Sequence, residues 1–125
     1  MSDFKGMIEE YAKLLPVGTS ISYVEAERRA GEFLVAMAKV TDLKHIFSKE
    51  KIAQLSLQTA TYANEMSKGT SKTVTENKLN AEASEAYTLA REALEEIEND
   101  IAYLKTYYEI FNNAHIFFRN LSKEN

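Results

Sequence analysis

A group of four glutamates in the second half of the chain has a spacing that could ligate a metal ion. Glu92 and Glu96 lie four residues apart, which places them on one face of a helix, with Glu95 and Glu98 beside them. A di-metal site in a helical bundle also requires a histidine three residues after a glutamate, and Glu92 is followed at that spacing by Glu95. We therefore interpret these glutamates as a solvated helix face and predict no metal site.

The two histidines differ in their surroundings. His45 follows Asp42 by three residues and has no second nitrogen ligand nearby, so we do not expect it to bind zinc. His115 lies between Phe111 and Phe118 at helical spacing, where a neutral imidazole can form a hydrogen bond across a helix interface. We interpret it as a core histidine. In an oligomer it could also form a ring of titratable groups, which would let assembly respond to pH near about 6.5.

No nucleophile is accompanied by the partners that catalysis requires. The chain has no cysteine, and its serines and threonines are not joined by a histidine and a carboxylate in a recognised catalytic order. Neither a Gly-x-Ser-x-Gly turn nor a phosphate-binding glycine loop occurs. We predict that the protein is not an enzyme and has no cofactor.

The remaining candidate chemistry is the binding of a polyanion by the middle of the chain. Residues 39–78 carry seven lysines against four acidic residues, whereas residues 79–100 have a net charge of -6. Single-stranded nucleic acid is bound by lysines that neutralise phosphates and by aromatic rings on which bases stack. The candidate residues are Lys44, Lys49, Lys51, Lys68, Lys72 and Tyr62. The alternative is that these lysines only keep helix surfaces soluble.

The elements that must position these residues are all helical, and we predict one all-α domain over residues 1–125. A short helix over 3–15 ends at Pro16, and a helical segment follows over 22–67. A loop over 68–73 contains Gly69, and one very long helix runs over 74–120. The expected architecture is an antiparallel helical hairpin or bundle.

Two capping boxes mark the helix starts, and the apolar spacing marks the buried faces. Ser22 with Glu25, and Thr73 with Glu76, have the capping-box spacing. In the second segment the apolar spacing loses phase near Ser48, which indicates a kink or short loop within 41–48. It then resumes at Ile52, Leu55, Thr59, Tyr62 and Met66.

The long helix carries a heptad pattern from Ala83 to Phe118, which is typical of a coiled coil. After Asp100 its apolar residues occupy almost every side, so we interpret this half as a subunit interface of a homo-oligomer. Burial within one chain and a membrane-surface role are the alternatives. The predicted interface residues are Leu94, Ile97, Ile101, Leu104, Tyr108, Phe111 and Phe118.

The first residues, MSDFKGMIEE, lack the basic and apolar regions of a signal peptide, and no apolar run is long enough to span a membrane. We therefore expect a cytoplasmic protein, located in the host cytoplasm if it is viral.

Four segments of the chain share a recognisable layout: SYVEA at 22–26, KHIFSKEK at 44–51, YANEMSKG at 62–69 and IFFR at 116–119. This layout resembles that of the UvsY-type recombination mediators of large tailed phages. Proteins of this family are small and all-helical, assemble into rings and help to load a recombinase on single-stranded DNA. The resemblance implies a non-catalytic oligomer that binds single-stranded DNA and a recombinase. It also implies that Lys44, Lys49 and Lys51 contact phosphates, that Lys68 and Lys72 extend this surface, and that Tyr108, Phe111 and Phe118 join subunits.

The alternative function belongs to another class: an oligomeric protein-binding adaptor, or a viral anti-defence inhibitor, that acts through the acidic helix face over 82–100. Charge reversal separates the two hypotheses. DNA binding predicts sensitivity at the middle lysines, and the adaptor hypothesis predicts it at Glu92, Glu95, Glu96 and Glu98.

Overall fold

The computed structural model describes residues 4–16, 20–70 and 73–123, and these residues form four helices and no strand. The helices are α1 (Phe4–Ala12), α2 (Tyr23–Ser67), α3 (Val74–Ala83) and α4 (Glu85–Lys123). The predicted all-α fold class is confirmed. None of the helices in these described ranges has an apolar stretch long enough to cross a bilayer.

The chain forms two compact units, and α2 and α4 each contribute to both. Unit 1 lies within Met1–Lys44 and Tyr103–Asn125, and unit 2 is His45–Ala102. Unit 1 is therefore built from α1, the first part of α2 and the second part of α4, whereas unit 2 contains all of α3.

The core of unit 1 is aromatic and comes from three separate segments. Residues spaced by three, four or seven positions lie on one side of a helix, which is why α2 and α4 each present one buried row. The buried residues are Ile8 on α1, Ala26, Ala30, Phe33, Ala36 and Val40 on α2, and Leu104, Phe111, Ala114 and Phe118 on α4. The ring centroid of Phe33 lies 5.4 Å from that of Phe111 and 5.9 Å from that of Phe118. These ring pairs join α2 to α4 within one chain.

Helix α1 packs on this core through its aromatic residues. Phe4 meets Tyr103 edge-on at 5.9 Å between ring centroids, and Tyr11 meets Phe111 at 6.2 Å. After Ala12 the chain continues as a turn, in which the amides of Leu14 and Leu15 donate to the carbonyls three residues earlier. The predicted helix over 3–15 is thus shorter at its C-terminal end.

Helix α2 begins at the predicted cap and does not break where the sequence indicated. The Glu25 amide donates to Ser22 Oγ at 3.1 Å, which confirms Ser22 as the N-cap residue. The short loop that was one alternative predicted within 41–48 is absent, because α2 continues through these residues as a helix. The apparent loss of phase has another cause: from Lys51 onward, polar residues occupy the inward face of α2.

The core of unit 2 is smaller and partly polar. Its buried apolar residues are Phe47, Ala81, Ala90 and Leu94. Between α2 and α4, Lys51 Nζ lies 3.4 Å from Glu98 Oε2, and Gln54 Nε2 donates to the carbonyl of Ala90 at 2.9 Å. The inward face of α2 in this unit therefore contacts α4 through amides and an ion pair.

The single helix predicted over 74–120 is divided in the structure at Ser84. This residue has φ -63° and ψ 147°, an extended conformation that ends α3. Its Oγ donates to the Ala81 carbonyl at 2.9 Å and accepts from the Tyr87 amide at 3.1 Å. Ser84 therefore caps the C-terminus of α3 and the N-terminus of α4. At the other end of α3, the predicted cap is confirmed, since Thr73 Oγ1 accepts from the Glu76 amide at 3.2 Å.

Candidate functional surfaces

Most of the predicted DNA-binding residues in the described chain already contact a neighbouring side chain. Lys51 pairs with Glu98 in unit 2, and Lys68 Nζ lies 3.4 Å from Glu65 Oε1. In unit 1, Lys44 Nζ lies 5.3 Å from the centre of the Tyr108 ring. Each of these three cations therefore has a partner within the chain, which is a carboxylate for Lys51 and Lys68 and an aromatic ring for Lys44.

The other members of the predicted set differ in their surroundings. Lys49 is exposed and lies two residues before Lys51, so the two side chains point to nearly opposite sides of α2. Tyr62 is half-buried, and its ring packs edge-on against Tyr87 at 5.5 Å between centroids. Lys72 lies outside the described residues. The lysines of unit 2 that are described do not share one helix face.

The predicted interface residues are largely covered by the chain itself. Leu94, Leu104, Phe111 and Phe118 are buried within one chain, and Ile97, Ile101 and Tyr108 are half-buried. Burial within one chain, which the sequence left as an alternative, accounts for the four buried residues, whereas Ile116 and Phe117 in the same part of α4 are exposed. These four buried side chains offer no surface to a second copy.

His115 occupies the position that its spacing predicted. Its Nδ1–H donates to the carbonyl of Ala30 at 2.9 Å, so the imidazole connects α4 to α2 inside unit 1. The interpretation of His115 as a histidine that forms a hydrogen bond across a helix interface is confirmed. Across the described ranges, no three histidine or acidic side chains come close enough together to hold a metal ion.

The acidic surface of α4 is exposed as its charge pattern indicated. Glu92, Glu95 and Glu96 are exposed, and none of them forms an ion pair with another residue in the described part of the chain. Unit 2 as a whole contains ten acidic and six basic residues, whereas the rest of the chain contains nine of each. The net charge of -4 therefore resides in unit 2.

A second surface in unit 2 was not found by the sequence analysis. No charged residue occurs from Ile52 to Asn64, although this part of α2 has one side that is open to solvent. Ile52 is 67% exposed and Leu57 is 54% exposed. The outer α2 face is defined here by its exposed residues Ile52, Ala53, Ser56, Leu57, Ala60 and Ala63.

The apolar spacing predicted the wrong side of α2 for this stretch. Ile52, Leu55 and Thr59 were expected to be buried and are exposed, while Lys51, Gln54 and Gln58 lie half-buried beside them. The signal that could have identified the outer α2 face was the uncharged run itself, because a solvated helix of this length normally carries charge. Apolar periodicity alone could not separate the two sides.

No protein-family model, curated protein or solved structure matches this chain.

Proposed function

We propose that this protein is a non-enzymatic, self-associating helical module that binds a basic protein partner. The observation that carries the proposal is the outer α2 face, an uncharged and exposed side of a helix in unit 2. Exposed apolar surface of this kind is typical of protein interfaces. The occupant that it favours is a second copy of the same face, since its alanines and serine allow two helices to approach closely.

The acidic surface supports the second part of the proposal. Glu92, Glu95 and Glu96 lie within two turns of α4, and unit 2 has the net negative charge that would attract a basic partner. Such a surface steers association and selects against acidic partners. The function that follows is an adaptor or inhibitor that acts by contact, with self-association presenting several acidic surfaces together.

Sedimentation velocity over a range of protein concentrations tests the self-association. The monomer has a mass of 14.2 kDa, and we expect the wild-type protein to sediment above that mass. The double variant Ile52→Lys and Leu57→Lys should sediment as a monomer, because it places unpaired charges in the apolar contact.

The matched control adds the same charge elsewhere on unit 2. Asn80 and Asn99 are exposed and lie on α3 and α4, so the double variant Asn80→Lys and Asn99→Lys should keep the wild-type mass. A wild-type protein that stays monomeric at every concentration would overturn the proposal, as would an unchanged mass of the Ile52 and Leu57 variant.

Binding of single-stranded DNA with a recombinase, which the resemblance implies, is the competing proposal. It is favoured by Lys49, which is exposed and forms no ion pair within the described ranges. It is disfavoured by the ion pairs of Lys51 and Lys68, because a phosphate would have to replace Glu98 and Glu65.

Fluorescence anisotropy of a labelled single-stranded oligonucleotide, at about 50 mM and about 200 mM salt, separates the two functions. The adaptor proposal predicts no salt-sensitive binding. If binding occurs, weakens steeply with salt and is abolished by changing Lys44, Lys49 and Lys51 to glutamate at constant oligomer mass, the DNA-binding proposal replaces it.

A further inference from the structure

Unit 2 contains a cavity of about 270 Å³ in which α2, the end of α3 and the start of α4 meet. Its lining residues are Gln58, Thr59, Tyr62, Glu82 and Tyr87. These side chains offer an amide, hydroxyl groups, aromatic rings and one carboxylate. Glu82 is the one charged side chain among them, so the chemistry of the cavity suits a ligand with positive charge.

The two tyrosine rings form an aromatic corner of this cavity. The ring centroids of Tyr62 and Tyr87 are 5.5 Å apart, and their planes are inclined at 60°. The face of an aromatic ring carries negative electrostatic potential, and a cation placed over it is attracted. Five cation and ring pairs in the described part of unit 1 show the same chemistry, among them Lys39 above Tyr11 at 5.3 Å.

Gln58 supplies a hydrogen-bond acceptor that lacks a donor. Its Nε2 donates to Tyr87 Oη at 3.2 Å, and its Oε1 is buried without a hydrogen-bond partner in the described part of the chain. Buried polar atoms are paired in the great majority of cases, so an unpaired one calls for a missing partner. Because this oxygen is enclosed, an N–H group of a ligand in the cavity supplies the partner only when the Gln58 carboxamide rotates towards the cavity.

Glu82 completes the set with a negative charge at the edge of the cavity. Its side chain is exposed and forms no ion pair with any residue of the described ranges. The break at Ser84 is what brings Glu82, near the end of α3, and Tyr87, in the first turn of α4, to one cavity.

We propose that this cavity binds the ammonium group of a lysine side chain. The carboxylate provides charge complementarity and the tyrosine rings provide cation–π attraction. Gln58 Oε1 accepts an N–H hydrogen bond once its carboxamide has rotated towards the ligand. A quaternary ammonium satisfies the first two contacts and leaves the amide oxygen unpaired, so it binds more weakly. The proposed site is specific for one residue type of a partner, lysine. Because the test uses a small cation, its result does not depend on the proposed self-association.

The test is titration of the full-length protein with n-butylammonium, which reproduces the lysine side chain, while the ring resonances of Tyr62 and Tyr87 are followed by NMR. We expect saturable shifts of both rings, no saturable shift with the neutral analogue n-butanol, and weaker binding of tetramethylammonium. Glu82→Gln and Tyr62→Leu should each weaken n-butylammonium binding by about two- to fivefold.

The control variant is Glu109→Gln, which removes the same charge from an exposed position on α4 that neither lines the cavity nor belongs to the acidic surface of unit 2. It should bind n-butylammonium as the wild type does. Absence of saturable shifts, equal binding of n-butanol, or equal weakening by Glu82→Gln and Glu109→Gln would overturn the proposal. Circular dichroism of each variant checks that its helix content is unchanged, and Glu82→Gln keeps the result decisive if Tyr62→Leu fails to fold.

Discussion

The carboxylate of Glu25, in the first turn of α2, is surrounded by hydrogen-bond donors. Arg28 donates to it from Nε at 2.9 Å and from Nη2 at 2.6 Å, and Arg29 donates from Nε at 2.8 Å. These bonds favour the ionised carboxylate and lower the pKa of Glu25 from its usual 4.5 to about 2. The first turn of a helix favours the same negative charge.

This pKa makes part of the stability of the chain dependent on pH. Because the folded-state pKa of Glu25 is depressed, its contribution is fully present above pH 4.5 and is lost as the pH falls towards about 2. We expect Glu25→Gln to be less stable than the wild type in urea unfolding near neutral pH, and the difference to shrink over that acidic range. The neighbouring exposed variant Glu27→Gln should change neutral-pH stability little. A Glu25 carboxyl that titrates at its usual pKa in NMR would contradict this account.

Substitution of alanine for each of two glycines, one inside a helix and one at a helix end, should change the free energy of unfolding in opposite directions. Gly31 lies inside α2, and a Cβ built there meets nothing within 4 Å. Gly31→Ala should therefore raise the free energy of unfolding by about 0.5 to 1 kcal/mol, because alanine loses less backbone entropy on folding.

Gly69 is the matched contrast, since it lies just after α2 and packs against Asn77. A Cβ at Gly69 would clash with the carboxamide of Asn77 and would lie 3.1 Å from its Cβ. Gly69→Ala should therefore lower the unfolding free energy. Both variants are measured by urea unfolding, and an equal effect of the two substitutions would contradict the packing described at Gly69.

At the scale of elements, the α3–α4 junction depends on the hydroxyl of one serine. Ser84→Ala removes both hydrogen bonds of Ser84 Oγ and should cost about 1 kcal/mol of unfolding free energy. Ser84→Asp keeps an acceptor for the Tyr87 amide and should recover much of the loss. Thermal unfolding of the two variants, with Ser48→Ala as an exposed mid-helix control, measures the effect. An alanine variant as stable as the aspartate variant would show that the hydroxyl does not hold the junction.

The sequence predicted helix starts better than the faces or the continuity of the helices. Ser22 and Thr73 were identifiable because their side chains act locally, on an amide three residues away. Ser84 was missed because the heptad pattern continues across it, although a serine followed by Glu85 is also a helix-start signal. The exposed side of α2 over 52–64 could not be predicted, because its buried side is set by polar contacts such as Gln54 with Ala90 and Lys51 with Glu98.

At the scale of the whole molecule, the two units differ in how much apolar core each contains. Unit 1 buries four large aromatic or leucine side chains, namely Phe33, Leu104, Phe111 and Phe118, whereas unit 2 buries Phe47 and Leu94 with two alanines. Local stability follows the amount of buried apolar surface.

Native-state hydrogen exchange should therefore protect the two parts of α2 unequally. We expect amides of residues 30–40, which lie in unit 1, to exchange more slowly than those of residues 52–62, which lie in unit 2. Rates corrected for the intrinsic exchange of each sequence provide the comparison. Equal protection along α2 would mean that the two units open together.

The candidate sites show the same division between what a sequence can and cannot reveal. The negative charge of α4 was predictable because charge is a property of composition. The cavity at Tyr62 was not predictable. Its residues Gln58, Glu82 and Tyr87 come together because the chain turns at Ser84, and the apolar spacing of the sequence does not indicate that turn.

The segment composition of unit 1 has a consequence for the order of folding during synthesis. Unit 2 is one continuous stretch, His45–Ala102, and its residues have all left the ribosome before the α4 part of unit 1 is complete. Phe33 therefore has no aromatic partner on α4 until Phe111 and Phe118, about 80 residues further along the chain, have emerged. Until then its side chain stays accessible to chaperones. A nascent chain stalled before Tyr103 should contain α1 and the first part of α2 without their aromatic partners. Folding of unit 1 is therefore complete only after Tyr103–Lys123 has emerged.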